Sequence, residues 1–177
     1  MKTTKFLFSG FGGQGILFTG KFLAYKGLVE DKNVSWLPSY GPEMRGGTAS
    51  CSVIISDEEV GSPIISEPDV LIAMNLPSFE KFEPTVKAGG IVIADSSLIE
   101  TQSNRTDIDV HYIPATSLAS EMGKQSLANM VILGKLLSVM GEFDEEKIKA
   151  VLSKVIPPKR AEMLEINLQA MKLGANN

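Results

Sequence analysis

Apolar and polar positions follow two different rhythms along the first 110 or so residues. Short, nearly continuous apolar runs alternate with stretches of helical spacing. Lys5–Ser9 (KFLFS) reads as a buried strand, and Gln14–Val29 then places Ile16, Leu17, Gly20, Leu23, Ala24, Gly27 and Leu28 on one helical face. Further strands are predicted at Asn33–Leu37, Thr48–Ser56, Val70–Met74, Ile91–Ala94 and Val110–Ile113. The acids at Asp57–Glu59 are turn-like, so Val60–Ile65 is expected to fold back on the third strand as a hairpin. Leu76–Val86 reads as a helix interrupted by Pro84, and Gly89-Gly90 as a turn.

The remainder is helical in pattern: Thr116–Met122, Ser126–Met140, Asp144–Val155 and Arg160–Leu173. Ile148, Val151, Leu152 and Val155 fall at i, i+3, i+4 and i+7, an amphipathic stripe. Strands alternating with helices predict an α/β fold. The expectation is a Rossmann-like, mostly parallel sheet flanked by helices, with one antiparallel hairpin insertion and a helical C-terminal region. At 177 residues the chain suits one domain, residues 1–177.

Composition narrows the chemistry. With 17 basic and 21 acidic residues the net charge is −4, which argues against a nucleic acid or an anionic membrane as partner. No apolar run reaches the ~20 residues of a membrane span, and the short apolar start runs into glycines, so a cytoplasmic protein is expected. The single cysteine, Cys51, cannot build a disulfide within the chain or a four-cysteine cluster. The single histidine, His111, cannot build a two-histidine metal site. No metal ligand set and no catalytic side chain is legible.

Two glycine-rich loops carry what candidate chemistry there is. Gly10-Phe11-Gly12-Gly13-Gln14-Gly15 follows a strand and opens a helix, as G-x-G-x-x-G does in dinucleotide folds. Gly10 would permit the tight turn, Gly12 the approach of a ligand, and Gly15 close packing of helix on sheet; the helix start offers free N–H groups to an anion. A nicotinamide site would also want an acid at the end of the second strand, where Trp36-Leu37-Pro38-Ser39 stands instead. Tight packing alone, or an anion or partner backbone on Gly12, Gly13 and Gln14, are the competing readings. The second loop, Ser39–Thr48, holds Tyr40, Glu43, Arg45, Gly46, Gly47 and Thr48. An arginine beside two glycines can offer its guanidinium fork to a carboxylate or phosphate, Glu43 could hold it, and Tyr40 could stack. The same composition suits a protein interface. Asp95 and Asn75, at strand ends, are weaker candidates that turn and cap chemistry explains as well.

These pieces stand in an order that resembles a known family. GFGGQG at 10–15, SYGPEMRGGTASC at 39–51, EPDVLIAMN at 67–75, VHYIPATSLASEMG at 110–123, LANMVILG at 127–134 and IPPKRAEMLEINLQAMKLG at 156–174 are similar to the gamma subunit of 2-oxoacid:ferredoxin oxidoreductases. The wording EMRGGT looks most like the 2-oxoglutarate and 2-oxoisovalerate types. The resemblance implies CoA-dependent oxidative decarboxylation of a 2-oxoacid to acyl-CoA and CO₂, with electrons passed to ferredoxin, by a complex in which this chain is inactive alone. It implies alpha, beta and ferredoxin-like delta partner subunits. It places thiamine diphosphate and the iron–sulfur clusters on those partners, with coenzyme A bound in the complex and no cofactor held by this chain alone. The glutamate that activates thiamine diphosphate lies on another subunit, so Glu43 does not inherit that role. The two glycine loops would shape the substrate or coenzyme A entrance, with Arg45 as the anion contact. A free-standing nucleotide-binding oxidoreductase and a purely structural assembly subunit are the alternatives.

Overall fold

The computed structural model describes residues 2–40, without the Tyr40 side chain, and 48–177. Six strands form one mixed sheet: β1 (Thr3–Phe11), β2 (Asn33–Tyr40), β3 (Thr48–Ser56), β4 (Val70–Ala73), β5 (Ile91–Asp95) and β6 (Asp109–Ile113). Six helices accompany them: α1 (Ile16–Val29), α2 (Leu76–Phe82), α3 (Ala115–Glu121), α4 (Ala128–Val139), α5 (Glu145–Val155) and α6 (Met163–Ala175). The strand order is β2-β3-β1-β4-β5-β6. β1, β4, β5 and β6 run parallel, whereas β3 runs antiparallel to both of its neighbours.

The antiparallel insertion is therefore real, but its hairpin partner differs from the expected one. β3 pairs with β2 along the whole of β2, from Asn33 opposite Ser56 to Tyr40 opposite Ala49, and residues 57–69 form no strand. Val60–Ile65 contains Gly61 and Pro63 and lies mostly at the surface, with no apolar face for a sheet to bury. β2 also runs further than its apolar pattern, through Pro38 to Tyr40. Pro38 is tolerated because β2 is an edge strand, where a missing N–H costs no ladder bond.

Alternating strand residues divide between two cores. Phe6, Phe8, Cys51, Val53, Ile72 and Ile93 face a large core completed by α1, α3, α4, α5 and α6. Leu7, Leu71, Ala73, Val92 and Ala94 face a smaller one closed by Phe79 of α2 with Val86 and Ile99. α4 is the buried centre of the larger core: nine of its twelve residues are buried, which is why its sequence shows no amphipathic stripe. At Gly134 and Gly174, α4 and α6 come into backbone contact. α5 buries the four residues of its predicted stripe and starts at Asp144, whose carboxylate accepts from the N–H groups of Glu146 and Lys147. α2 stops at Phe82, two residues ahead of Pro84.

Candidate functional site

α1 and α2 leave neighbouring parallel strands, β1 and β4, for opposite faces of the sheet. The direction of winding reverses there, and in open α/β sheets ligands occupy the crevice outside such a switch point, at the carboxyl ends of the strands. A crevice of about 270 Å³ occupies that place, lined by Gly13, Gln14, Met74, Leu98, Thr116, Gln125, Ser126 and Ala128. None of these carries a formal charge. The N-terminal ends of α1 and of the helical segment that starts at Gln125 meet at this crevice, and neither has an acid in its first turn. Their N–H groups, unpaired among the described residues, make the crevice attractive to a negatively charged or carbonyl oxygen.

The glycine loop is fixed by side-chain amides. The Phe11 N–H donates to Gln14 Oε1 (2.6 Å), and Gln14 Nε2 donates to the Met74 carbonyl (2.9 Å), tying the end of β1 to the end of β4. Asn129 of α4 donates from Nδ2 to the Gly15 carbonyl (3.3 Å), which also accepts from the Thr19 hydroxyl (3.0 Å). Gly10 belongs to β1 rather than to the turn, so its expected turn role is corrected. A Cβ there would lie 2.6 Å from Gln14 Oε1 and 3.1 Å from Met74 Cβ. The turn proper is Gly12 and Gly13, both exposed. Gly15 takes φ 76°, a left-handed conformation that disfavours other residues.

The second loop arrives at the same end. Phe11 pairs with Thr48 and Gly10 with Ala49, while Tyr40 pairs with Ala49 from the other side. Thr48 is exposed. Glu43, Arg45, Gly46 and Gly47 lie outside the described residues, as does the Tyr40 side chain.

The weaker candidates have structural employment. Asp95 is buried and accepts from Thr116 Oγ1 (2.5 Å), from the Thr116 N–H and from the Ser97 N–H, which secures the start of α3 beside the crevice. Asn75 caps α2 by accepting from the Ser78 N–H (2.8 Å), while its buried Nδ2 has no partner among the described residues. His111 pairs with Asp109 (2.8 Å) on the outer strand. Burial pushes the Cys51 thiol from 9.0 up to about 12, with a smaller opposing contribution from Trp36, so the thiol stays protonated and unreactive. Among the described residues no three of His, Cys, Asp or Glu come together as metal ligands. A cysteine-ligated cluster has no ligand set among them.

Sequence reasoning missed Thr116, Gln125, Ser126 and Asn129 as parts of this end of the molecule. They lie 101–114 residues after Gly15, and only the tertiary fold brings α3 and α4 over the loop. The fold also weakens the dinucleotide reading. That fingerprint needs β2 beside β1, with its acid within reach of a ribose. Here β3 separates them, so β2 lies two strand spacings, roughly 9.5 Å, from β1.

An open α/β unit with a crevice at the switch point of its sheet has the architecture of a ligand-binding α/β domain. The chain belongs to the pyruvate ferredoxin/flavodoxin oxidoreductase family, whose model matches residues 5–177. The ketoisovalerate oxidoreductase subunit VorA of Methanothermobacter marburgensis is 39% identical over 169 residues, covering 95% of this chain and 35% of its own. The 2-oxoglutarate synthase subunit KorC of Methanocaldococcus jannaschii is 38% identical, covering 94% of this chain and 89% of its own. The keto/oxoacid ferredoxin oxidoreductase gamma subunit of Geobacter sulfurreducens superposes with a TM-score of 0.84 at 26% identity, over 99% of this chain and 96% of that one. The chain thus spans about a third of VorA, but nearly all of KorC and of the Geobacter subunit.

Proposed function

We propose that this chain is the gamma subunit of a 2-oxoacid:ferredoxin oxidoreductase, of the 2-oxoglutarate or 2-oxoisovalerate type, and that its carboxyl-end crevice forms one wall of a composite site. The observation that carries the reading is the full-length similarity to KorC, a 2-oxoglutarate synthase subunit, together with the neutral crevice at the switch point. In the complex, alpha and beta subunits and a ferredoxin-like delta subunit hold thiamine diphosphate and iron–sulfur clusters. Those cofactors supply carbanion stabilisation and electron transfer. The single, buried Cys51 cannot supply a four-cysteine cluster site, and no step is assigned to this chain through either group.

What this chain supplies is recognition. Both substrates are anions, a 2-oxoacid carboxylate and coenzyme A. N–H groups at the Gly12–Gly13 turn and at the start of α1, unpaired among the described residues, suit an anionic oxygen. Arg45, on the connection from β2 to β3, adds a fork of donors matched to carboxylate or phosphate. Its sequence neighbours Tyr40, Glu43, Gly46, Gly47 and Thr48 are the further candidates for that contact. The complex works in the cytoplasm, without membrane or nucleic-acid contacts; no helix described here is long and apolar enough to cross a membrane.

Affinity isolation of the tagged chain from its native host tests the assignment. The expected result is co-purification of subunits carrying thiamine diphosphate and iron–sulfur clusters, with Arg45→Ala raising KM for the 2-oxoacid or for coenzyme A about tenfold, the value of one charge-assisted bond. A chain isolated alone, or unchanged KM values in an intact Arg45→Ala complex, contradicts it.

A further inference from the structure

The glycine loop holds a device that its glycine pattern conceals. A helix start is usually secured by a Ser, Thr, Asp or Asn side chain at its cap. α1 has Gly15 at its cap and no side-chain cap bond. Two amide side chains hold the loop instead, one within it and one from α4. Gln14 uses both ends of its amide at once, accepting from the Phe11 N–H at the loop's start and donating to the Met74 carbonyl across the switch point. Asn129 reaches from α4, 114 residues away in sequence, to the Gly15 carbonyl at the loop's end.

The glycines make room for these amides. A Cβ at Gly10 would meet Gln14 Oε1 at 2.6 Å, and a Cβ at Gly15 would lie 2.8 Å from Asn129 Cγ, with Nδ2 closer still. A Cβ at Gly13, by contrast, would meet nothing within 4 Å. The first and last glycines of the G-x-G-x-x-G pattern are thus occupied by the protein's own side chains. Gly13, by that measure open, is left to face the crevice, with the exposed Gly12 beside it.

We infer that Gln14 and Asn129 are positioning residues, a pair of side-chain amides that hold the Gly12–Gly13 turn in the shape that receives an anionic ligand oxygen. The inference rests on the loop being part of the ligand site proposed above. An amide suits this task because it both donates and accepts without charge. A carboxylate at 14 would set a second acceptor against the Met74 carbonyl, and an alkyl side chain would leave both loop partners unsatisfied. Preorganised backbone donors need no rearrangement when the anion arrives, so the benefit falls on ligand binding.

The test has two readouts on two variants, Gln14→Met and Asn129→Leu. In the full chain alone, hydrogen exchange read by NMR is expected to show the Phe11 amide losing protection about tenfold in Gln14→Met, the factor one hydrogen bond supplies. The Leu7 and Phe8 amides of β1 keep theirs. In the complex, each variant is expected to raise KM about tenfold for the 2-oxoacid or for coenzyme A, with kcat within about twofold and assembly intact. Unchanged Phe11 protection overturns the inference, and so do unchanged KM values for both substrates in either variant. Loss of β1 protection together with kcat overturns it too, since the amides would then support the fold at large. If the wild-type complex oxidises no 2-oxoacid, the functional reading fails while the exchange result still decides whether the amides hold the loop.

Discussion

Replacing Gly134 by alanine sets two opposing effects against each other, and the sign of the outcome tests the packing of α4 on α6. Gly134 lies in the middle of α4, where alanine is intrinsically better than glycine by about 1 kcal/mol. If the helices were ordinarily spaced, Gly134→Ala would stabilise the protein. The structure predicts the reverse. A Cβ at Gly134 would lie 2.6 Å from the Met171 carbonyl carbon and 2.7 Å from Met171 Cα, with the carbonyl oxygen nearer still. Carbon atoms in contact sit at about 3.5–4.0 Å, so the helices must part by roughly 1 Å. The obstacle is backbone, which cannot rotate aside as a side chain can. Overpacking of this kind costs about 1–3 kcal/mol and more where backbone resists. The reciprocal site is as tight: a Cβ at Gly174 would lie 2.7 Å from the Val131 carbonyl carbon. Set against the ~1 kcal/mol of helix propensity, the upper end of that range leaves each alanine variant about 2 kcal/mol less stable. For 177 residues that is a fall in Tm of roughly 4–8 °C, read by circular dichroism on the purified chain. A Tm equal to or above that of the unaltered chain would refute the close helix crossing. Because α4 also carries Asn129 and Ala128 at the crevice, the loss should be accompanied by a looser glycine loop.

Three further outcomes follow from single sites. Asp95→Ala strips the start of α3 of its acceptor and leaves the Thr116 hydroxyl without a buried partner, at a cost of about 2–4 kcal/mol in urea unfolding; an unchanged midpoint would show that Asp95 is not the anchor. The Cys51 thiol should resist Ellman's reagent at pH 8 in the folded chain and react fully in guanidinium, because burial keeps it protonated; fast labelling of the folded chain would contradict the buried placement. Its folded pKa lies above the unfolded value of 9.0, so the folded state binds the extra proton. Stability linked to Cys51 is therefore complete below pH 9 and falls as pH rises from 9 towards about 12. Cys51→Ala should remove that part of the alkaline slope in a pH series of urea unfolding; an identical slope in both proteins would refute the linkage.

Much of this was legible beforehand, and the exceptions have physical causes. Continuous apolar runs located β4 and β5 because parallel strands buried on both faces carry no alternation to confuse them. The stripe in α5 located that helix because only one face is buried. The pairing of β3 was harder to read. Thr48–Ser56 announces a strand, but nothing in its alternation says that it inserts between β1 and β2. Edge position explains Pro38, which local pattern takes as a strand end. At the site, the glycine loop was found by its spacing, whereas Gly10 was misassigned to the turn because a motif cannot show that a distant side chain fills the space beside it. Thr116 and Asn129 reach the loop only through the stacking of α3 and α4 on the sheet, a contact without local sequence signal.

The central claim is that this chain is a working part of a 2-oxoacid oxidoreductase and not a free-standing enzyme. Reconstituting the partner subunits with and without it, and following coenzyme A-dependent ferredoxin reduction with 2-oxoglutarate and with 2-oxoisovalerate, tests that claim directly. The account predicts turnover on one of the two substrates only when this chain is present. It is contradicted if the partner subunits turn over equally well without the chain, or if the chain alone sustains the reaction.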